Sequence, residues 1–239
     1  MSGGGLATAV LFRLGPVAIT ETVATTWCVM LVLIAAAFLI SRRLAADPGR
    51  WQSAAEGALV AVEAAIADVL PAPAVRLVLP FVATLWIFIL AANFAGLLPG
   101  VDAPTGDLSL TAALALTVFA STHWFGIQAK GLRGHLAHYL EPSPLLLPFH
   151  ILGEFTRTIA LAIRLFGNMM SLEMTALLVL LVAGFLVPVP ILMLHVIEAV
   201  VQAYIFGMLA LIYIAGALET SGAGPASSHP ESTLPKETS

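Results

Sequence analysis

The chain has 239 residues, of which 59% are apolar and 10% charged, and a formal net charge of -4. Its mean hydropathy is +0.99. A water-soluble domain carries about 25% charged residues, so this composition excludes a cytosolic enzyme and a disordered scaffold, and the acidic balance excludes a nucleic-acid binder. The single cysteine, Cys28, excludes a disulfide framework and a multi-cysteine metal site.

Residues 1-21 hold three consecutive glycines and a short run broken by Arg13, with no clear cleavage site. They are predicted to form an external N-terminal segment rather than a signal peptide. Val23–Ile40 is free of charge and is followed by Arg42, Arg43 and Arg50. A run of this kind, near the ~20 apolar residues that cross a bilayer, is a predicted span. Residues 51-70 follow, with Trp51, Ala55, Leu59, Val62, Ile66 and Leu70 at helical spacing and Gln52, Glu56, Glu63 and Asp68 on the remaining arc. The pattern predicts an amphipathic helix. Its acidity argues for packing on protein rather than on anionic lipid.

Leu77–Leu98 and Leu108–Ala129 are the next predicted spans, the latter carrying His123. The loop between them has Asp102 and Asp107 and no basic residue, whereas Arg42, Arg43, Lys130 and Arg133 follow the first and third spans. The positive-inside rule therefore puts the N-terminus outside. Asn93, with Gly96 and Pro99 after it, is expected to shape a helix end, and His135 and His138 to lie in a solvated cytoplasmic loop.

Leu145–Val187 is a mainly apolar stretch of 43 residues. As one helix it would measure ~65 Å, about twice the ~30 Å hydrocarbon core. It must fold back, tilt strongly, or both. It contains His150, Glu154, Arg157, Arg164 and Glu173, and is interrupted by Pro188 and Pro190. Ile191–Leu218 then carries His195 and Glu198, and residues 220-239 form a polar tail with the composition of a disordered segment. The whole, residues 1-239, reads as a single all-α membrane domain of about 5-6 membrane helices, the C-terminal ones long and strongly tilted, with residues 145-218 carrying nearly all of its membrane-embedded ionisable groups.

A charge at the bilayer centre costs roughly 2.5–3.5 kcal/mol on insertion scales, so an ionisable residue there is a functional candidate by default. Arg164 cannot release its proton; it acts as a fixed positive charge. Asn168 at i+4 and Arg157 at i-7 share its helix face, and Ala160 and Gly167 flank the stripe with small side chains. Two readings stand on these residues: a face that receives a partner helix carrying an acid, or an arginine paired within its own chain, with Glu154 or Glu198 as candidates. Glu173, nine residues on, points to the opposite side of the helix. His195, Glu198 and Gln202 fall on one face at i, i+3 and i+7. With Glu173 they either line an aqueous path or form a polar knot between helices. His195 and Glu198 alone are too few ligands for a metal site. No phosphate-binding loop, dinucleotide turn or nucleophile elbow is present.

Arg164-Leu165-Phe166-Gly167-Asn168, within Leu161–Met169, resembles the signature of subunit a of the membrane sector of F-type ATP synthases. Pro80-Phe81 through Asn93-Phe94-Ala95-Gly96-Leu97-Leu98-Pro99-Gly100, Gln202-Ala203-Tyr204-Ile205-Phe206, and Gly15-Pro16 with Ile19-Thr20 are similar to three further family segments, in order. The resemblance implies a non-catalytic stator subunit, with ATP chemistry on other subunits, no cofactor and no metal. It implies two aqueous half-channels that bring protons or sodium ions to and from a carboxylate on a ring of c subunits. Arg164 matches the arginine between those channels, Asn168 a position beside the ring, Glu173 and His195 channel-lining partners, and Gln202 a polar position facing the arginine. Arg157 matches a commonly basic position, and Glu154 joins it as an auxiliary residue. Glu198 is an additional acid without a standard family counterpart. Implied partners are the c ring, the b-subunit stalk, the remaining synthase subunits and the lipid bilayer, in a bacterial inner membrane with the C-terminal tail cytoplasmic. An independent secondary transporter and a purely structural membrane anchor are the alternative classes.

Overall fold

The computed structural model describes residues 10-14, 17-42, 49-98, 101, 103-140, 147-183 and 188-219. The polar tail, residues 1-9, Gly15-Pro16, Arg43, Pro99-Gly100 and Asp102 lie outside them, with the expectations attached to each. The described residues form six α-helices: α1 (Glu21–Arg42), α2 (Arg50–Ala67), α3 (Ala72–Ala95), α4 (Leu108–Leu140), α5 (Leu147–Ala183) and α6 (Pro188–Glu219). Five of them, all but α2, are long and apolar enough to cross a membrane. The chain is an all-α polytopic membrane protein.

A short hairpin precedes α1: β1 (Val10–Leu14) pairs antiparallel with β2 (Val17–Thr20). The sequence reading had no strand here. Val10, Val17 and Ile19 are β-branched, and each run is too short to make a helix of its own.

Local chemistry explains the helix ends. Asp107 accepts hydrogen bonds at 2.8 Å from the Ser109 backbone N–H and from its hydroxyl, which caps α4. Asp107 is therefore a cap and not only a loop charge. Pro188 opens α6 and Pro73 sits in the first turn of α3, where a missing N–H costs nothing. Past the span the chain kinks at Gly131, whose φ of 71° and ψ of 161° are non-helical and open to glycine without strain, and a second helical segment follows within Leu108–Leu140. The expected loop there is thus helical, and His135 and His138 fall within it.

α5 runs unbroken over 37 residues. Of the two solutions left open for this stretch, reversal or strong tilt, an unbroken helix over residues 147-183 leaves only tilt. At 1.5 Å per residue α5 is ~55 Å long, and it fits a ~30 Å core only when inclined by roughly 57°.

Two apolar clusters hold the bundle. One joins Val62, Ile66 and Leu70 of α2 and its exit to Val78 and Val82 of α3, Phe125 of α4, and Leu211 and Ile214 of α6. The amphipathic helix therefore packs on protein through its C-terminal half, while Leu59 stays exposed. The second joins Leu85 and Ile89 of α3, Ala115 and Val118 of α4, Leu161 and Leu165 of α5, and Ala203 and Phe206 of α6. α3 and α6 approach closely because position 207 is glycine: a Cβ there would overlap the Trp86 indole. α1 stands apart, with Trp27, Leu31, Ile34 and Phe38 exposed.

Candidate functional site

The polar residues collect along α5 and α6 at three levels. At the first, the segment between α3 and α4 folds over α5 as a 3-10 turn, Pro104–Gly106. The Ala103 N–H donates to Glu173 Oε1 at 3.2 Å. Gly106 lies against the same carboxylate: a Cβ there would come 3.1 Å from Oε2. The turn is itself latched. The Thr105 hydroxyl donates to Asn93 Oδ1 at 2.7 Å, and Asn93 Nδ2 donates to the Ala199 carbonyl at 3.2 Å. Asn93 and Thr105 are both completely buried. Asn93 thus does more than shape a helix end; it ties α3, the turn and α6 into one unit.

His195 and Glu198 lie on α6 near this level. His195 is buried, and its Nε2 has no hydrogen-bond partner among the described residues. Glu198 is half-exposed. A buried unpaired ring nitrogen costs roughly 1–3 kcal/mol.

At the middle level, Asn168 Nδ2 donates to Gln202 Oε1 at 2.6 Å and joins α5 to α6. Gln202 is buried, and its amide nitrogen is unpaired among the described residues. One turn before Asn168, Arg164 is exposed on α5. Among the described residues it makes no hydrogen bond and no ion pair. The intrachain reading of Arg164 named Glu154 and Glu198; Glu154 instead faces His123. Arg164 stands in an open stripe with Ala160, Gly167 and Ser171, all exposed. A Cβ on Gly167 would meet nothing within 4 Å. Ile163, Ile197, Val201 and Tyr204 extend this face with apolar surface.

At the third level, His123 Nε2 of α4 lies 3.7 Å from Glu154 Oε2 of α5. Arg157 does not continue the Arg164 stripe as its spacing suggested. Its guanidinium lies 4.7 Å from the centre of the Tyr213 ring of α6. Sequence reasoning noted His123 in its span and gave Asn93 only a helix-end role; it assigned neither a partner and did not single out Thr105, because these contacts join residues of different elements.

Fold and site together define a class: a polytopic membrane protein whose last two helices carry a polar seam and an open cationic face. Comparison with known proteins narrows it. Residues 23–215 match the family model described as ATP synthase A chain. The chain is 59% identical over 229 residues to "ATP synthase subunit a 1" of Hahella chejuensis, covering 96% of this chain and 97% of that one. It is 62% identical over 213 residues to "ATP synthase subunit a 2" of Pelobacter propionicus, covering 89% and 93%. It is 46% identical over 214 residues to "ATP synthase subunit a 1" of Chlorobaculum parvum, covering 88% and 94%. The chain belongs to the ATP synthase A chain family, and its role is in the FO, proton-translocating sector of ATP synthase.

Proposed function

We propose that residues 1-239 form one membrane domain that acts as the stator of a rotary ion turbine, with Arg164 as the barrier between two half-channels. The observation that carries this reading is the position of Arg164: a fixed cation on an open stripe, without a partner among the described residues, between one acid on either side along α5. Glu173 is nine residues away and Glu154 ten, so the acids stand about 14 and 15 Å from it along the helix axis. Small residues beside it let a partner helix approach closely, and the natural partner is a ring of c subunits bearing carboxylates.

A carboxylate arriving on the ring loses its proton where Arg164 favours the ionised form. A neutral carboxylate rotates into lipid at far lower cost than a charged one. Asn168 and Gln202 supply hydrogen bonds beside the arginine. Glu173, with His195 and Glu198, lines the path from the side of the 103-107 turn, and Glu154 and Arg157 lie on the path to the other side. Each proton crossing 100 mV releases about 2.3 kcal/mol to drive rotation.

The positive-inside rule puts the 103-107 turn and the N-terminus outside and the C-terminal tail in the cytoplasm of a bacterial cell, the membrane being the inner one. The exposed faces of α1 and of the first half of α2 are surfaces for the b-subunit stalk and other synthase subunits.

The test is ATP-driven proton uptake by the whole complex in liposomes, with Arg164→Ala compared to native at matched assembly. Loss of uptake is expected. Uptake at the native rate would remove Arg164 from the coupling step.

A further inference from the structure

Each ionisable group inside a span needs a partner or water, and the proposed stator mechanism leaves His123 without a task. We infer that His123 and Glu154 form a proton-exchanging dyad, with a single-water cavity beside it, at the end of the path opposite Glu173.

The geometry is specific. A cavity of about 10 Å³ lies between α4, α5 and α6, lined by Thr122, Glu154, Arg157, Thr158 and Tyr213 with apolar neighbours. That volume is at the threshold for one water, which also needs two to four polar partners. The partners are present. The Thr122 hydroxyl donates to the Val118 carbonyl at 2.9 Å and the Thr158 hydroxyl to the Glu154 carbonyl at 3.0 Å, which leaves both oxygens facing outward as acceptors. The Glu154 carboxylate accepts, and the Arg157 guanidinium donates.

His123 is held for exchange rather than merely for packing. Its Nδ1 lies 2.9 Å from the Phe119 carbonyl, and its ring stacks on Phe119 with centroids 4.3 Å apart. The carbonyl accepts only, so Nδ1 carries the proton in that contact, and Nε2 is the nitrogen that gains and loses one toward Glu154. Side-chain rotation must first close the 3.7 Å separation to a hydrogen bond; the transfer then balances within the dyad, the Nε2–H bond breaking as an O–H bond forms on Glu154, and an ion pair becomes a neutral pair. Neither group is sealed in the core, their exposures being 30% and 23%, and Glu154 also lines the cavity, so in this proposal the proton passes between the cavity and the cytoplasmic side through the pair. The other charged or titratable groups lining this space are Arg157 from α5 and Tyr213 from α6. Arg157 stays charged throughout and steadies the carboxylate, while its contact with Tyr213 keeps it from the Arg164 stripe.

The dyad rests on the half-channel reading, and the experiment separates the two. The holoenzyme is reconstituted with its catalytic head in the external medium. Initial ATP-driven proton uptake is measured against medium pH at fixed lumen pH, divided by the ATPase activity of the same preparation uncoupled with detergent. Native protein, His123→Gln, Glu154→Gln, Glu154→Asp and Arg164→Ala are compared at matched assembly. His123→Gln and Glu154→Gln are expected to lower uptake about tenfold, less than the ~100-fold of an irreplaceable proton-transfer group because water carries part of the traffic. They should also remove a step from the medium-pH profile. Glu154→Asp should keep that step. Native rates and an unchanged profile in both Gln variants, with Arg164→Ala inactive, would overturn the dyad and leave the half-channels standing. Native uptake by Arg164→Ala would overturn the half-channel reading itself. If His123→Gln fails to assemble, the Glu154 pair decides: loss of the step with Gln and its retention with Asp support the dyad, and the step present in both overturns it.

Discussion

Glu154 and Glu173 flank Arg164 along α5, ten residues before it and nine after, but the fold holds them differently. Glu173 accepts from a backbone N–H in a turn that Asn93 and Thr105 fasten to α3 and α6. Glu154 faces an imidazole on α4 and shares a small cavity with Arg157, whose guanidinium lies over the Tyr213 ring. A backbone amide orients a carboxylate but never takes its proton, whereas an imidazole does both. In the proposed mechanism Glu173 is held in position and Glu154 exchanges protons, and Arg164 stands between them without a neutralising partner among the described residues.

The largest expected effect breaks the middle. Arg164→Ala should abolish ATP-driven uptake, and Arg164→Lys should not restore it fully, because an ammonium lacks the planar fork that meets a carboxylate. Glu173→Gln sharpens the Glu173 end. The amide still accepts from Ala103 but cannot be protonated, so flux should fall roughly tenfold while the assembled complex survives on a native gel. If the complex falls apart instead, that end is a polar knot.

A smaller effect is expected at the latch. Asn93→Leu leaves the buried Thr105 hydroxyl without its acceptor and should destabilise the subunit by about 1–3 kcal/mol, seen as a lower unfolding temperature of the complex in detergent. The smallest effect belongs to Gly131→Ala. Its φ of 71° is unfavourable for alanine, and nothing lies within 4 Å of the added Cβ. It should cost about 1 kcal/mol and leave proton uptake unchanged.

Much of this architecture is legible in the amino-acid order because lipid imposes simple arithmetic. Val23–Ile40, Leu77–Leu98 and Leu108–Ala129 fall within or near helices α1, α3 and α4 for one reason: runs of that length without charge have few other solutions. Arg164 is legible as chemistry for the complementary reason that its burial in lipid needs a purpose. The rest depends on long-range packing. Nothing in the local sequence says that α5 stays whole for 37 residues, since apolar runs look alike whether or not they reverse. Asn93 and Thr105 are twelve residues apart and meet only because the 103-107 turn folds back over α5. His123 and Glu154 lie on different helices, so their spacing in the chain carries no message. The hairpin before α1 is five residues paired with four, too short to announce its register.

The most direct test of two opposed half-channels is sided chemical access. The chain has one cysteine, Cys28, and a Cys28→Ser background makes single introduced thiols readable. Glu173→Cys and Glu154→Cys would be labelled with a membrane-impermeant thiol reagent in right-side-out and in inverted vesicles holding the assembled complex. The two half-channels predict labelling at position 173 only from the outer surface and at position 154 only from the cytoplasmic surface. Labelling of both thiols from the same surface would contradict them.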